Sequence, residues 1–232
     1  MATATRPEWA ESIVSRHHPL GASTGYMADE RGDWFRQIQL AREVSPFAIE
    51  LSALSEPELP SLAEFLGSGP NLPFRYISIH GPSKNLQGDE EKLVAELATL
   101  AGRANAIVMH PDTIQDASIY RCLEHKLLLE NMDARKQSGR YSHELAPLFE
   151  ELPNAGFCLD VPHAWSIDPT MEVAGELLDS FGPRLRHVHL SSLSDDLHHV
   201  PLTVEHEELF SPTLKRCLDV PWIFEAPPRS TI

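Results

Sequence analysis

Seven times along this chain a short apolar run ends on, or just before, a carboxylate or an imidazole. The seven are Glu50, His80, His110, Glu130, Asp160, His189 and Glu225. Neighbours in this series stand 30, 30, 20, 30, 29 and 36 residues apart, and each interval holds about one strand, one helix and their turns. Segments with helical spacing of apolar residues lie between them, among them DWFRQIQLAREV (33–44) and DEEKLVAELATLAGRA (89–104). Strand–helix alternation of this kind dictates a parallel sheet, because each strand must be returned to the same end by a crossover.

About eight such units in 232 residues fit a (β/α)8 barrel, a TIM barrel, which commonly takes about 200–250 residues. A doubly wound open sheet is the competing arrangement, but no glycine-rich phosphate loop follows the first strand in PLGASTGY (19–26). No polar or low-complexity linker divides the chain, so one domain over 1–232 is expected. Residues 1–18 are expected to form a helical extension, a short helix over 6–18 lying as a lid on one end. After the last strand, VPWIFEAPP (220–228), only RSTI remains, so the closing helix is expected to be missing and the N-terminal one to fill its place. Further helices are expected over 60–69, 117–125, 170–182 and 206–218. Another is expected over 142–152, capped by Ser142 with Glu144 in its first turn. Pro162 is expected to halt regular structure just after Asp160 and leave His163 on a turn.

In a barrel the strand C-termini converge on one face. Residues spread over most of the sequence would therefore meet, and so many buried carboxylates and imidazoles demand a cation, since each unpaired buried charge costs several kcal/mol. Asp160-x-x-His163 at one strand mouth suits zinc, manganese or iron. Glu50 is expected to orient another group or to touch substrate. Cys158 and His187, in phase with Asp160 and His189, are expected one layer below, as a packed thiol and a supporting imidazole. Ser83 and Lys84, just past His80, are placed to hold a phosphate. The loop SDDLHHVPL (194–202) offers Asp196, His198 and His199, and its Asp-x-His can clamp a metal from one side.

The net charge of −15 disfavours a broad nucleic-acid surface, although a buried metal cluster would supply positive charge that this count omits. No run of about 18 apolar residues exists, so no membrane span is expected. MATATRPEWAESIV lacks the layout of a secretory signal, and three widely spaced cysteines read as reduced thiols, so a cytoplasmic protein is expected.

The ordered set IHGPS, MHPD, LLENMD, CLDVPHAW, HVHLSS, DDLHH and IFEAP resembles the xylose isomerase-like TIM-barrel superfamily, and most closely its endonuclease IV branch. The resemblance covers nearly the whole chain from about residue 20. It implies a phosphoester hydrolase with two or three zinc ions. His80, His110 and Glu130 would hold the first; Glu130 would bridge to a second completed by Asp160, His189 and Glu225; His163, Asp196 and His198 would hold a third. Glu130 and Glu225 are its implied catalytic residues. The chain departs from that branch in its acidic loop LSALSEPELPS, its Gly-Ala-Ser first strand and a shorter gap from His189 to Asp196. A small-molecule phosphoester is accordingly expected as substrate in preference to duplex DNA.

The same superfamily offers a second expectation, a sugar isomerase or epimerase with one manganese or cobalt ion on Glu130, Asp160, His189 and Glu225. There the two glutamates would move a proton either side of a sugar carbonyl, and His163 would touch the sugar. A third is a non-catalytic metal-binding module, whose acidic surface would suit a partner or a homodimer contact.

Overall fold

The computed structural model describes residues 13–14 and 18–229. The helix expected over 6–18 lies almost wholly outside these residues. Eight parallel strands close into a barrel: β1 (Leu20–Ser23), β2 (Ala48–Ser52), β3 (Tyr76–His80), β4 (Ala106–Met109), β5 (Leu127–Glu130), β6 (Gly156–Asp160), β7 (Leu185–Leu190) and β10 (Trp222–Phe224). They neighbour one another in chain order, and β10 closes the ring onto β1 through Leu20 beside Trp222. Closure rules out the open-sheet alternative. A two-stranded ribbon, β8 (Ser192–Leu193) with β9 (His199–Val200), rises beyond β7.

The strands read as apolar runs because both of their faces are covered. One face packs outward on the helices; the other fills the barrel, where Ala106, Val108, Leu128 and Cys158 form a small cluster with Tyr76 against it. Space inside is tight. At Gly21 of β1 an added Cβ would stand 2.7 Å from that of Ala48 and 2.8 Å from Ile223, so only glycine lets these strands approach.

Outside run α1 (Trp34–Val44), α2 (Leu59–Gly67), α3 (Glu90–Leu100), α4 (Ser142–Glu151), α5 (Val161–Ile167), α6 (Glu172–Phe181) and α7 (Val204–Leu214). Asp33, Asp89 and Thr203 cap α1, α3 and α7 through side-chain oxygens that accept backbone N–H groups at 3.0, 3.0 and 3.1 Å. Among the described residues no helix follows β10 and none is long and apolar enough to cross a membrane.

Three local expectations change. The segment Ala117–Lys126 is a 3-10 stretch, not an α-helix. The β4–β5 unit is the shortest of the series, and a 3-10 turn rises about 2.0 Å per residue against about 1.5 Å for an α-helix, so few residues can return the chain. Ser142 begins α4 rather than capping it; Tyr141 is the cap residue, and the Glu144 carboxylate accepts its N–H at 3.2 Å. Pro162 does not halt structure. It stands second in α5, where no backbone N–H is needed, and Asp160 caps that helix by accepting the His163 N–H at 2.6 Å.

Candidate metal centre

Strand alternation explains why one end of the barrel is crowded with donors. Inward positions two apart carry Cys158 then Asp160 on β6, His187 then His189 on β7, and Ser78 then His80 on β3. Glu130 ends β5, while His110 and Glu225 follow β4 and β10 directly.

Glu130 sits in the middle. Its Oε2 lies 3.2 Å from His80 Nε2 and 3.5 Å from His110 Nε2; its Oε1 lies 3.3 Å from His163 Nδ1 and 3.4 Å from His189 Nδ1. Burial favours a neutral acid here, but the imidazoles around it outweigh burial and hold Glu130 well below the usual carboxylate range. Burial likewise opposes charge on His80, and Glu130 overcomes it, lifting that imidazole to about 9. Asp160 goes the other way: burial, then Glu225 and Glu130 beside it, raise its carboxyl well above the usual range. Two acids and a third, all buried together, compete for too little positive charge.

Backbone and buried acceptors set which nitrogen each imidazole presents. His80 Nδ1 donates to the Gly81 carbonyl at 2.9 Å, which turns Nε2 toward Glu130. His189 Nε2 donates to Glu50 Oε2 at 3.2 Å and turns Nδ1 toward Glu130, Asp160 and Glu225, at 3.4, 3.9 and 3.5 Å. His163 Nδ1 donates to the Asn131 carbonyl at 2.9 Å. Asn131 also ties the tips of β5 and β6 together, accepting the Asp160 N–H at 2.8 Å and donating to the Asp160 carbonyl at 2.9 Å.

Three donor groups result at the mouth: His80, His110 and Glu130; Glu130, Asp160, His189 and Glu225; and Asp160, His163 and His199; a fourth, Cys158, His187 and His189, lies one layer below. The ligand atoms within each lie within 4.8 Å of one another. Among the described residues, Asp160 Oδ2, His189 Nδ1 and Glu225 Oε2 are buried with no hydrogen-bond partner. Unpartnered nitrogen and carboxylate oxygens that face a common space fit divalent cations of the zinc or manganese type.

Sequence and structure part company at the third group. Asp196 and His198 do not reach it; each side chain is 71% exposed, and they pair with each other at 3.3 Å. The ribbon explains this. Neighbours along a strand point to opposite faces, and His199 is the one turned inward, 2.8 Å from Ser191 Oγ and 3.4 Å from Glu225 Oε2. Alternation in HHVPL is the signal that could have picked His199.

Glu50, expected either to orient another group or to touch substrate, lies fully buried beneath His189, where Ser78 also donates to it at 2.9 Å. Its carboxylate orients His189 and cannot meet anything entering the mouth. His187 lies under His189 with ring centroids 5.0 Å apart, its Nδ1 2.8 Å from the Tyr76 hydroxyl. Cys158 is fully buried, and burial pushes its thiol well up, as a packed thiol. Ser83 is half-buried and Lys84 exposed, on the strand-like segment after β3 where both N–H groups donate to the Leu54 carbonyl at 3.0 Å. Asp133, absent from the sequence reading, is buried with Oδ2 3.8 Å from His163 Nε2.

Comparison with solved structures places the barrel. Endonuclease IV from Thermus thermophilus superposes with a TM-score of 0.53 at 22% identity, over 84% of this chain and 87% of that one. The 3-keto-D-glucoside 4-epimerase from E. coli does so with a TM-score of 0.56 at 14% identity, over 93% of this chain and 94% of that one. These likenesses show a shared fold, the closed (β/α)8 TIM barrel. No family model matches the sequence, and no curated protein matches it either. At these identities the likeness speaks for the fold, and the chemistry has to be argued from the donors themselves.

Proposed function

We propose that this chain is a metal-dependent enzyme that hydrolyses small phosphoesters, with two or three zinc-type ions at the mouth of the barrel. The observation that carries this reading is Glu130, with an imidazole pair on each carboxylate oxygen. A carboxylate so placed, with His80 and His110 on one oxygen and His163 and His189 on the other, would help to hold more than one cation and neutralise their charge. A single-ion site leaves His80, His110 and His199 with no ion to hold.

Bound there, the ions would act as Lewis acids that activate water and neutralise charge on a phosphoryl group. The chain's own residues do the rest. Glu50 and the Gly81 and Asn131 carbonyls hold three imidazoles in fixed tautomers. Glu225 presents Oε1 toward His189 and Oε2 toward His199, at the rim where a carboxylate can orient an attacking water and receive its proton at Oε2. Phe224 and Leu190 close the strands behind it, both buried.

A second reading, a sugar isomerase or epimerase, draws support from the four-donor group Glu130, Asp160, His189 and Glu225, which alone would make a complete single-ion site. Metal content separates the two. Protein purified without chelator or added metal is expected to carry two or three zinc-type ions per chain and to cleave bis(p-nitrophenyl) phosphate. One manganese or cobalt ion, with ketose epimerisation and no phosphoester cleavage, would sink the hydrolase.

A further inference from the structure

One layer below the mouth, the barrel interior is polar where branched apolar side chains normally fill it. Cys158 on β6 stands beside His187 on β7 in the ladder, and Glu50 on β2 beside Ser78 on β3. All four are fully buried. The donor groups at the mouth leave Cys158 and His187 unused. The Cys158 thiol, one nitrogen of His187 and one of His189 nevertheless lie within 4.8 Å of one another, so the three converge on one small space. Ala106, Val108 and Leu128 pack with Cys158 and keep that layer dry.

His187 is held at its other edge. Its Nδ1 meets the Tyr76 hydroxyl at 2.8 Å, and a hydroxyl that accepts the Nδ1–H leaves the lone pair on Nε2. That Nε2 is buried with no hydrogen-bond partner; Glu50 Oε2, at 3.6 Å, is beyond hydrogen-bonding length. A buried nitrogen left so is costly, and an ion between it and the sulfur removes the cost. Without an ion, burial keeps the Cys158 thiol protonated. Softness and count select the ion. Thiolate sulfur suits Cu(I) or zinc, while the carboxylates of the mouth suit harder divalent ions. Zinc in a structural site almost always takes four ligands, and among the described residues no carboxylate joins these three. A monovalent ion also balances the one negative charge of a thiolate with two neutral imidazoles, so no net charge is buried.

We propose that Cys158, His187 and His189 form a Cu(I) site inside the barrel, one layer below the mouth. Binding replaces the S–H bond by an S–Cu bond, and the thiol proton leaves to solvent with no change of oxidation state. A neutral imidazole has one lone pair, so His189 serves either this ion or one at the mouth, and the two compete for it. The site does not rest on the hydrolase reading, since Cys158 and His187 belong to no donor group of the mouth.

The test is anaerobic titration of Cu(I), kept reduced by ascorbate, into the metal-stripped full chain against bicinchoninate, a chromophoric competitor. Stripping leaves His189 unclaimed by the mouth, and a C122S background removes the exposed thiol. One Cu(I) per chain is expected to be withheld from the competitor. Cys158→Ala and Cys158→Ser are each expected to lower that affinity by more than about 100-fold, the upper range for losing only an outer partner of a ligand. His187→Asn is expected to lower it as well, although its amide can still meet Tyr76. Copper X-ray absorption of the parent protein, which needs no variant at Cys158, is expected to show one sulfur and two imidazole nitrogens. Copper bound without sulfur, copper held equally after Cys158→Ala, or loss of all copper to the competitor would overturn the site. Copper held on sulfur in a protein that cleaves no phosphoester would defeat the hydrolase alone; phosphoester cleavage with no copper retained would defeat the copper site alone.

Discussion

Two Asp–His pairs in this molecule use the same side chains and meet opposite fates. Asp160 and His163 are buried at the barrel mouth among Glu130, His189 and Glu225. Asp196 and His198 lie on the ribbon beyond β7, mostly in solvent, and face each other. The first pair is delivered by a strand end and the first turn of a helix, two rigid elements that aim it into the axis. The second sits on a turn, where Ser194 N–H donates to the His198 carbonyl at 2.9 Å and Leu197 takes φ +60°. Residue type does not make a metal site. Convergence and burial do, because only a closed, dry site makes unpaired donors costly enough that a cation stabilises them.

The sharpest way to break this contrast is to remove its centre. Glu130→Gln keeps the shape of the buried group and deletes the charge shared by four imidazoles. Metal content is expected to fall to one ion or none per chain, and phosphoester turnover by about 10³-fold, as for loss of a charge-stabilising group in an enclosed site. Elemental analysis and steady-state rates check both. Full metal content with normal turnover would show that the buried cluster is no more a site than the exposed pair.

Stripping the ions tests the same point through stability. Free metal at a thousand times its dissociation constant adds about 4 kcal/mol to the folded state. For a chain of this size each kcal/mol moves Tm by roughly 2–4 °C. Chelation is therefore expected to lower Tm by about 10 °C, and re-addition of zinc to restore it. A Tm that ignores chelator would mean that the buried donors are satisfied without a cation.

How much of this was legible in the sequence follows from what each feature depends on. The barrel was legible because strands covered on both faces must be apolar along their length, and the helices show their spacing directly. The seven strand-end positions were legible for the same reason, since a charge ending an apolar run marks itself. The 3-10 segment was hidden because its apolar spacing is compatible with either helix, and only the distance to be covered decides. His199 was hidden because His198 and His199 differ by one position, and which of them faces inward depends on the pairing of Leu193 with His199 across the ribbon. Asp133 was hidden because a loop carboxylate carries no signal until the histidine it faces has been placed. Local pattern reaches elements; partners across the chain require the fold.

A smaller effect is expected one layer below the ions. Glu50 accepts the Nε2–H of His189 and fixes the nitrogen that faces the centre, while touching no other member of the three donor groups at hydrogen-bond distance. Glu50→Gln can still accept that proton but carries no charge to strengthen the imidazole as a donor. Loss of an outer carboxylate of this kind lowers metal affinity by about 10–100-fold. Competition with a chromophoric chelator measures it. An unchanged affinity would make Glu50 a core residue only, and the orientation of His189 a product of packing.

The finest test returns to the two histidines that differ by one position. His199→Ala removes a donor from the group it forms with Asp160 and His163, so the most weakly held ion is expected to leave and metal content to fall by about one per chain. His198→Ala removes a partner only from the exposed Asp196, and surface pairs of this kind contribute little. Metal content, Tm and turnover of that variant are expected to match wild type within error. The reversed result, with His198→Ala losing the ion and His199→Ala keeping it, would mean that the ribbon reseats when metal arrives and turns its other face inward. That outcome would replace a fixed three-part centre with one completed by a moving loop, and it would return Asp196 to the donor set.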